Sequence, residues 1–192
     1  MDKDPIRQFK LWFDEASAAG VPLPEAFCLS TVSPDGLPEG RMILLKEADA
    51  SGFVFYTNLE SPKAHALAKR PQAALTFYWE PLRRQVRIQG RTERVSDAEA
   101  DAYFRTRPRE SQIGAWASFQ STPLDSRETL EKRFGEFSEK YEGRDVPRPA
   151  HWSGYRVVPD AVEFWIERPN RLHDRFLYTR TGGGWSMKRL YP

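Results

Sequence analysis

The segment from Gln85 to Val95 reads QVRIQGRTERV. Apolar or small residues alternate with polar ones along its first half, a period of two that is typical of a β-strand with one buried face. We expect Val86 and Ile88 to face a core and Arg87 to point away from it. A strand needs partners, and the residues on both sides of this one contain further β-rich runs. The sequence therefore predicts a fold based on a sheet.

Other runs of apolar, β-branched and aromatic residues, bounded by turn residues, predict further strands. They cover Ala26 to Val32, Gly40 to Lys46, Phe53 to Thr57, Ala73 to Trp79, Trp152 to Val158, Ala161 to Ile166, Arg175 to Thr179 and Trp185 to Leu190. Helices are predicted from Pro5 up to Gly20, Ser61 to Lys69, Ser96 to Arg105, Ser111 to Ala117 and Asp125 to Tyr141. Short antiparallel strands with covering helices predict a mainly-β (α+β) fold, a small barrel, in a single domain of residues 1–192.

Composition excludes several classes of protein. Hydrophobic residues make up 40% of the 192 residues and charged residues 29%, which is typical of a globular chain and excludes wholesale disorder. A net charge of +2 is too small for a protein that coats nucleic acid by bulk electrostatics. No apolar run approaches the roughly 18 residues that cross a bilayer, and no signal peptide is visible. With Cys28 as the one cysteine, no internal disulfide can form, and the cytoplasm is the expected location.

No metal site is expected, because the three histidines have no partner at a ligand spacing. What remains is a set of local basic and hydroxyl clusters. The segment Arg41 to Lys46 has a cation at each end, five residues apart on one predicted strand, although a charged amphipathic edge would show the same pattern. Tyr56-Thr57-Asn58 precedes Ser61-Pro62-Lys63, where a strand ends in hydroxyls and a helix begins. Helix amides with a lysine form a typical phosphate site, while simple capping is the plainer alternative.

Two more clusters lie further along the chain. Tyr103, Arg107 and Ser111 recur four residues apart across a helix end, so that their hydroxyls and guanidinium could share one phosphate. A solvated helix terminus is the alternative. Arg171 and His173 alternate with Arg175, and on a strand all three side chains would point to one face. That arrangement favours an anion or an electron-rich ligand over a plain surface charge run.

Taken in order, these stretches resemble the pyridoxine/pyridoxamine 5′-phosphate oxidases, a family of FMN-dependent enzymes. The resemblance covers nearly the whole chain. It is carried by RMILLK at 41–46, FYTN at 55–58, SPKAH at 61–65, RQV at 84–86, RPRESQIGAW at 107–116, EFW at 163–165 and, most specifically, RLHDR at 171–175.

The resemblance implies an FMN-binding split β-barrel, with FMN at the interface of a homodimer and the C-terminal strands 152–192 completing the active site. It implies oxidation of pyridoxine or pyridoxamine 5′-phosphate to pyridoxal 5′-phosphate, with O₂ reduced to H₂O₂. The FMN contacts carried over by position are Arg41, Met42, Ile43, Leu44, Leu45, Lys46, Tyr56, Thr57, Lys63, Gln85, Gln120, Ser121, Trp165 and Arg175. Lys46, Tyr103, Arg107 and Ser111 correspond to holders of the substrate phosphate, and Arg171 and His173 to the catalytic residues over the substrate ring.

The chain departs from the family at Pro62, where many members have arginine. Loss of a charge-assisted contact costs about 1.5–3 kcal/mol, so FMN is expected to bind roughly ten- to a hundredfold more weakly unless another residue compensates. Two alternatives stay open. One is a related split-barrel FMN oxidase with a different substrate, of the phenazine-pathway type, and the other is a non-enzymatic flavin- or pyridoxal-phosphate-binding protein.

Overall fold

The computed structural model describes all residues 1–192, which form five α-helices and nine β-strands. The helices are α1 (Pro5–Ala18), α2 (Pro62–Lys69), α3 (Asp97–Thr106), α4 (Arg109–Ala117) and α5 (Arg127–Lys140). The strands are β1 (Ala26–Val32), β2 (Pro38–Leu44), β3 (Glu47–Asp49), β4 (Gly52–Asn58), β5 (Gln72–Trp79), β6 (Arg84–Arg94), β7 (Trp152–Ile166), β8 (Asp174–Thr181) and β9 (Gly184–Leu190). The predicted mainly-β architecture with covering helices is confirmed.

All strands belong to one sheet with the order β2-β1-β5-β6-β7-β4-β3, and β8 pairs with β7 and β9. Strand β6 pairs antiparallel with β5, from Arg84 opposite Trp79 to Arg91 opposite Gln72. Val86 and Ile88 are fully buried, as the alternation predicts. Gly90 continues that buried series, and a Cβ there would lie 2.0 Å from the carbonyl oxygen of Val158 on β7. Only glycine allows the two backbones to approach so closely.

The chain divides into two compact units. Unit 1 contains 1–55, 66–93 and 156–192, and unit 2 contains 56–65 and 94–155. The expected single domain over 1–192 stays a prediction. None of the five helices combines the length and the apolar character needed to cross a lipid bilayer.

Aromatic side chains fill the core of unit 1. Helix α1 begins at Pro5, where the Asp4 carboxylate accepts a hydrogen bond from the Ile6 amide, and it buries one face against the sheet. Phe9 on that face lies edge-on to Phe53, with ring centroids 5.0 Å apart. Edge-to-face pairs of this kind contribute about 0.5–1.5 kcal/mol beyond their buried area.

Unit 2 has a smaller core, made by Phe104, Ile113, Tyr141, Val146 and Trp152. Helix α3 begins with the predicted capping box, in which Ser96 and Glu99 exchange hydrogen bonds. Arg148 ties the connector before β7 to this helix, because its guanidinium donates to Asp97, to Asp101 and to the carbonyl oxygen of Trp152.

Two predicted boundaries are wrong. The predicted strands Trp152 to Val158 and Ala161 to Ile166 form one continuous strand, β7, because the fixed φ of Pro159 is compatible with extended backbone. The predicted strand Gly40 to Lys46 is displaced toward the N-terminus, since β2 runs Pro38–Leu44 and Lys46 lies beyond its end. There the Lys46 amide donates to the carbonyl oxygen of Val54, and the chain enters the unpredicted short strand β3.

Candidate functional site

A stack of parallel aromatic rings lies at the candidate site in unit 2. The rings of Tyr56 and Tyr103 stack with centroids 4.2 Å apart and an interplanar angle of 9°. Trp152 stacks on Tyr56 at 5.1 Å and 2°. The three residues come from β4, α3 and the start of β7, so three separate segments of unit 2 build one aromatic stack.

Arg107 lies over the Trp152 ring of this stack. The residue follows the last turn of α3, where its backbone is already extended. Its guanidinium carbon lies 4.7 Å from the Trp152 ring centroid and 5.4 Å from that of Phe104, both within cation–π range. The side chain is thereby fixed by ring faces, which leave its N–H groups available for other partners.

The hydrogen-bonding capacity of the Arg107 guanidinium is not fully used within the protein. Its Nη1 atom is buried and has no hydrogen-bond partner in the protein. Burial lowers the pKa of Arg107 below its ordinary value, against a smaller opposing effect of the nearby Tyr103. A buried donor without an acceptor costs about 1–3 kcal/mol, and an anionic ligand would recover that energy.

A cleft of about 630 Å³ opens beside Arg107. Basic residues dominate its lining, which includes Arg105, Arg109 and Arg148, with Asp101 and Asp145 as the acidic members. Tyr103 and Ser111 do not line it, so the structure brings Tyr103 close to Arg107 but does not place all three predicted phosphate ligands in one cavity.

A second polar cluster in unit 2 surrounds the buried Lys63. Its Nζ donates to the Gln120 amide oxygen at 2.9 Å and to the hydroxyls of Thr57 and Ser61 at 3.2 Å. Only 8% of Lys63 is exposed, and Thr57 and Ser61 are buried as well. Gln120 is exposed and is followed by Ser121, whose φ of +68° lies in the left-handed region. The structure thus brings together Thr57, Lys63 and Gln120, three of the residues predicted to contact FMN.

In unit 1, the predicted segment Arg41 to Lys46 lies on and just beyond the edge strand β2. Arg41 is engaged within the protein, since its guanidinium donates to the Thr31 hydroxyl at 2.7 Å and to the Glu39 carboxylate at 2.8 Å. Along the segment the side chains alternate, with Met42 and Leu44 exposed and Arg41 and Ile43 half-buried, before Leu45 turns inward. Lys46 is exposed.

A second face of unit 1 carries Trp165 and Arg175, which lie opposite each other on β7 and β8. The Arg175 guanidinium donates through Nε to the buried Glu163 carboxylate at 2.7 Å. This hydrogen bond raises the pKa of Arg175 above its ordinary value, and burial opposes the rise. Glu163 had no assigned role in the sequence, although its spacing of two residues from Trp165 already places the two side chains on one face. Gln85, the other predicted FMN contact in unit 1, is half-buried on β6 opposite Tyr78.

The prediction that Arg171 and His173 lie on a strand is wrong. Arg171 ends a short 3₁₀ turn, Pro169–Arg171, and β8 begins only at Asp174. Asn170 and Arg171 have φ values of +58° and +60°, a left-handed conformation that costs a non-glycine residue roughly 1–2 kcal/mol. Strain of this kind is common at functional sites.

The turn directs the two side chains differently. Arg171 is exposed, whereas the His173 ring is half-buried and packs on Trp165 with centroids 4.6 Å apart. His173 Nδ1 accepts a hydrogen bond from the Arg168 amide, so that in the neutral ring the proton resides on Nε2.

The comparison of the chain with known protein families matches two segments of it. Residues 13–141 match the profile described as pyridoxamine 5′-phosphate oxidase, and residues 152–192 match the pyridoxine 5′-phosphate oxidase C-terminal dimerisation region. The chain belongs to the pyridoxamine 5′-phosphate oxidase family. The predicted resemblance is thereby confirmed, and the second match supports the predicted homodimer.

Curated relatives agree with this assignment. The chain is 56% identical over 189 residues to the pyridoxine/pyridoxamine 5′-phosphate oxidase of Myxococcus xanthus strain DK1622, covering 98% of this chain and 92% of the relative. It is 57% identical over 192 residues to the protein of the same description from Burkholderia multivorans, covering 98% and 89%. The predicted oxidoreductase class is confirmed, and the alternative of a non-enzymatic binding protein is set aside.

Solved structures confirm the split-barrel fold class. PhzG from Burkholderia lata 383, in complex with tetrahydrophenazine-1-carboxylic acid, is 32% identical to the chain with a TM-score of 0.94, covering 100% of this chain and 94% of that one. A pyridoxamine 5′-phosphate oxidase-related, FMN binding protein from Nostoc punctiforme PCC 73102 has a TM-score of 0.79 at 17% identity, with complete coverage of both chains, and supports the fold alone.

Proposed function

We propose that the protein oxidises pyridoxine 5′-phosphate and pyridoxamine 5′-phosphate to pyridoxal 5′-phosphate with FMN as cofactor, O₂ being reduced to H₂O₂. The observation that carries the proposal is the state of Arg107. A half-buried arginine whose Nη1 atom is buried without a hydrogen-bond partner, and which lies on the faces of aromatic rings, is prepared for a phosphate. The same stacking restricts the side chain before the ligand arrives, which reduces the entropy lost on binding.

The substrate phosphate would accept hydrogen bonds from Arg107 and from the hydroxyls of Tyr103 and Ser111, with Lys46 as a further cation. A phosphate is remote from the carbon that loses hydride. These residues would therefore act by fixing the distance and orientation of the ring, the contribution that positioning makes to a rate.

The cluster around Lys63 fits the phosphate of FMN. A buried ammonium offers the positive charge, and the neighbouring Thr57 hydroxyl, which now donates to the exposed Gln120, could turn its O–H to a phosphate oxygen; the Ser61 hydroxyl stays bonded to the Asn58 carbonyl oxygen. Other proposed FMN contacts are the segment Arg41 to Lys46, Tyr56, Gln85, Gln120, Ser121, Trp165 and Arg175. When bound, the flavin would supply the hydride acceptor and the reaction with O₂, so that the protein needs no nucleophile of its own.

Arg171 and His173 are the proposed catalytic residues. The packing of His173 on Trp165 and its bond to the Arg168 amide fix the ring, leaving Nε2 to donate a hydrogen bond to the oxygen or nitrogen substituent of the substrate. Arg171 would stabilise the same substituent as hydride leaves. In this proposal FMN lies at the interface of a homodimer, the C-terminal strands 152–192 complete the active site, and the cytoplasm is the location.

A second candidate is oxidation of a reduced phenazine carboxylate, because the PhzG structure has this fold with a tetrahydrophenazine bound. A carboxylate could also pair with Arg107. The 5′-phosphate is the better match, since it carries more charge and more acceptor oxygens than a carboxylate for the Arg107 guanidinium and the nearby Tyr103 hydroxyl.

Initial rates on the FMN-loaded protein test the proposal. Pyridoxine 5′-phosphate, pyridoxamine 5′-phosphate and unphosphorylated pyridoxine are each supplied in air, and pyridoxal 5′-phosphate and H₂O₂ are measured. The proposal expects turnover of both phosphorylated substrates and a KM for pyridoxine at least a hundredfold higher. Turnover of a dihydrophenazine carboxylate without turnover of either phosphorylated vitamer would contradict it.

A further inference from the structure

A buried carboxylate lies behind Arg175. Phe164 points into the core, so Glu163 and Trp165 share the opposite face of β7. In the β7–β8 register, Trp165 is opposite Arg175 and Glu163 is opposite Leu177, which makes Glu163 and Arg175 a diagonal cross-strand pair. Only 8% of Glu163 is exposed.

Two guanidinium groups converge on this carboxylate. Arg175 donates through Nε to Oε1 at 2.7 Å, and Arg87 on β6 approaches Oε2 through Nη1 at 3.4 Å. Arg175 also donates through Nη1 to the carbonyl oxygen of Tyr191 at 3.2 Å. These two bonds fix the Arg175 guanidinium from two directions, and one carboxylate with two arginines leaves the group with a net positive charge.

Arg175 is 28% exposed in its side chain, whereas the Glu163 side chain is only 10% exposed. The arginine can therefore reach a ligand that the carboxylate cannot. We infer that Glu163 is a positioning residue, which holds the Arg175 guanidinium in the orientation that binds the flavin. This inference rests on the proposed FMN site and adds to it a residue that touches Arg175 and not the cofactor.

A plain stabilising ion pair would show the same contacts, so the test needs a readout that stability does not move. The coupling between the effects of replacing Glu163 and Arg175 on FMN affinity is such a readout. If Glu163 affects FMN binding only through Arg175, its replacement changes nothing further once Arg175 is absent. If Glu163 only stabilises the fold, the effects of the two replacements on FMN affinity are independent.

The experiment is a double-mutant cycle of Glu163→Gln and Arg175→Ala, with FMN dissociation constants measured by quenching of flavin fluorescence on titration of the apoprotein. Glutamine keeps the shape and one acceptor but removes the charge. We expect Glu163→Gln to weaken FMN binding about tenfold. The double variant should match Arg175→Ala within about twofold. Glu167→Gln is the matched control, because Glu167 on the same segment pairs with the exposed Arg83, and FMN binding should be unchanged.

A second readout does not depend on flavin. In the apoprotein, the bond to Glu163 should protect the Arg175 Nε–H from exchange, so that its ¹⁵N-resolved NMR signal is seen at neutral pH and lost in Glu163→Gln. If Glu163→Gln fails to fold, Glu163→Asp, which keeps the charge but shortens the side chain, takes its place in the cycle. Additive effects on FMN affinity, or unchanged affinity in Glu163→Gln, would overturn the inference. Failure of the wild-type protein to bind FMN while the NMR signal behaves as expected would instead refute the proposed FMN site.

Discussion

Replacing Arg107 by methionine is expected to separate substrate binding from stability, because the two respond in opposite directions. Methionine keeps the apolar contact with Trp152 and Phe104 but removes a buried N–H without an acceptor. Removal of the unpaired N–H stabilises the folded protein by about 1–3 kcal/mol, and loss of the cation–π contact destabilises it by about 1 kcal/mol. The free energy of unfolding should therefore stay unchanged or rise by up to about 2 kcal/mol, and each kcal/mol raises Tm by about 2–4 °C for a chain of this length.

Binding of phosphorylated substrate should weaken at the same time. Loss of the charge-assisted bonds costs about 1.5–3 kcal/mol, a ten- to hundredfold increase in KM, with a smaller effect on kcat because the phosphate contact is equal in ground and transition states. Unphosphorylated pyridoxine serves as the internal control, since its KM should not change. Arg105→Met, which removes an exposed arginine from the same cleft, is the matched variant and should leave KM nearly unaltered.

Steady-state kinetics on both substrates and thermal melting of the apoprotein are the required measurements. A fall in Tm of several degrees with unchanged KM would show that Arg107 is structural. An equal rise in KM for phosphorylated and unphosphorylated substrates would also refute the phosphate assignment.

Three other predictions concern separate parts of the molecule. Pro62→Arg should tighten FMN binding about tenfold in a fluorescence titration, because it adds a cation at the start of α2, and unchanged affinity would show that another residue already compensates. Arg148→Met should lower the free energy of unfolding by about 1–2 kcal/mol in urea titrations, since it removes the bonds to the largely exposed Asp97 and Asp101 carboxylates and leaves the Trp152 carbonyl oxygen without its donor, and an unchanged free energy would contradict this. Burial raises the pKa of Tyr155 and Tyr178 above the ordinary value near 10. The unfolded chain therefore loses these protons at lower pH than the folded protein, and Tm should fall as the pH rises above about 10. Tyr178→Phe should flatten that fall, and an unchanged pH profile of Tm in this variant would count against the prediction.

The sequence was most informative where local periodicity and burial agree. The alternation around Val86 and Ile88 placed β6 within one residue of its observed bounds, because a strand with one buried face must repeat every two residues. The capping box at Ser96 located the start of α3 for a similarly local reason. The predicted strand break at Pro159 was wrong, because a proline ends a strand only when its missing N–H is needed for a hydrogen bond or its φ does not fit.

The site was harder to predict, since its geometry comes from distant segments. The bond from Lys63 to Gln120 spans 57 residues, and no local pattern specifies it. The alternation of Arg171 with His173 suggested a strand, but a short polar run with this spacing is equally compatible with the left-handed turn at Asn170 and Arg171. Glu163 carried a usable signal in its spacing from Trp165, yet its role depends on the cross-strand register with Arg175.

The proposed oxidation is tested directly by single-turnover reduction of the bound flavin by pyridoxine 5′-phosphate without oxygen, followed by admission of air. We expect the flavin absorbance to bleach and one equivalent of pyridoxal 5′-phosphate to form. On reoxidation, one equivalent of H₂O₂ should appear. Bound FMN that stays oxidised in the presence of saturating pyridoxine and pyridoxamine 5′-phosphates would contradict it.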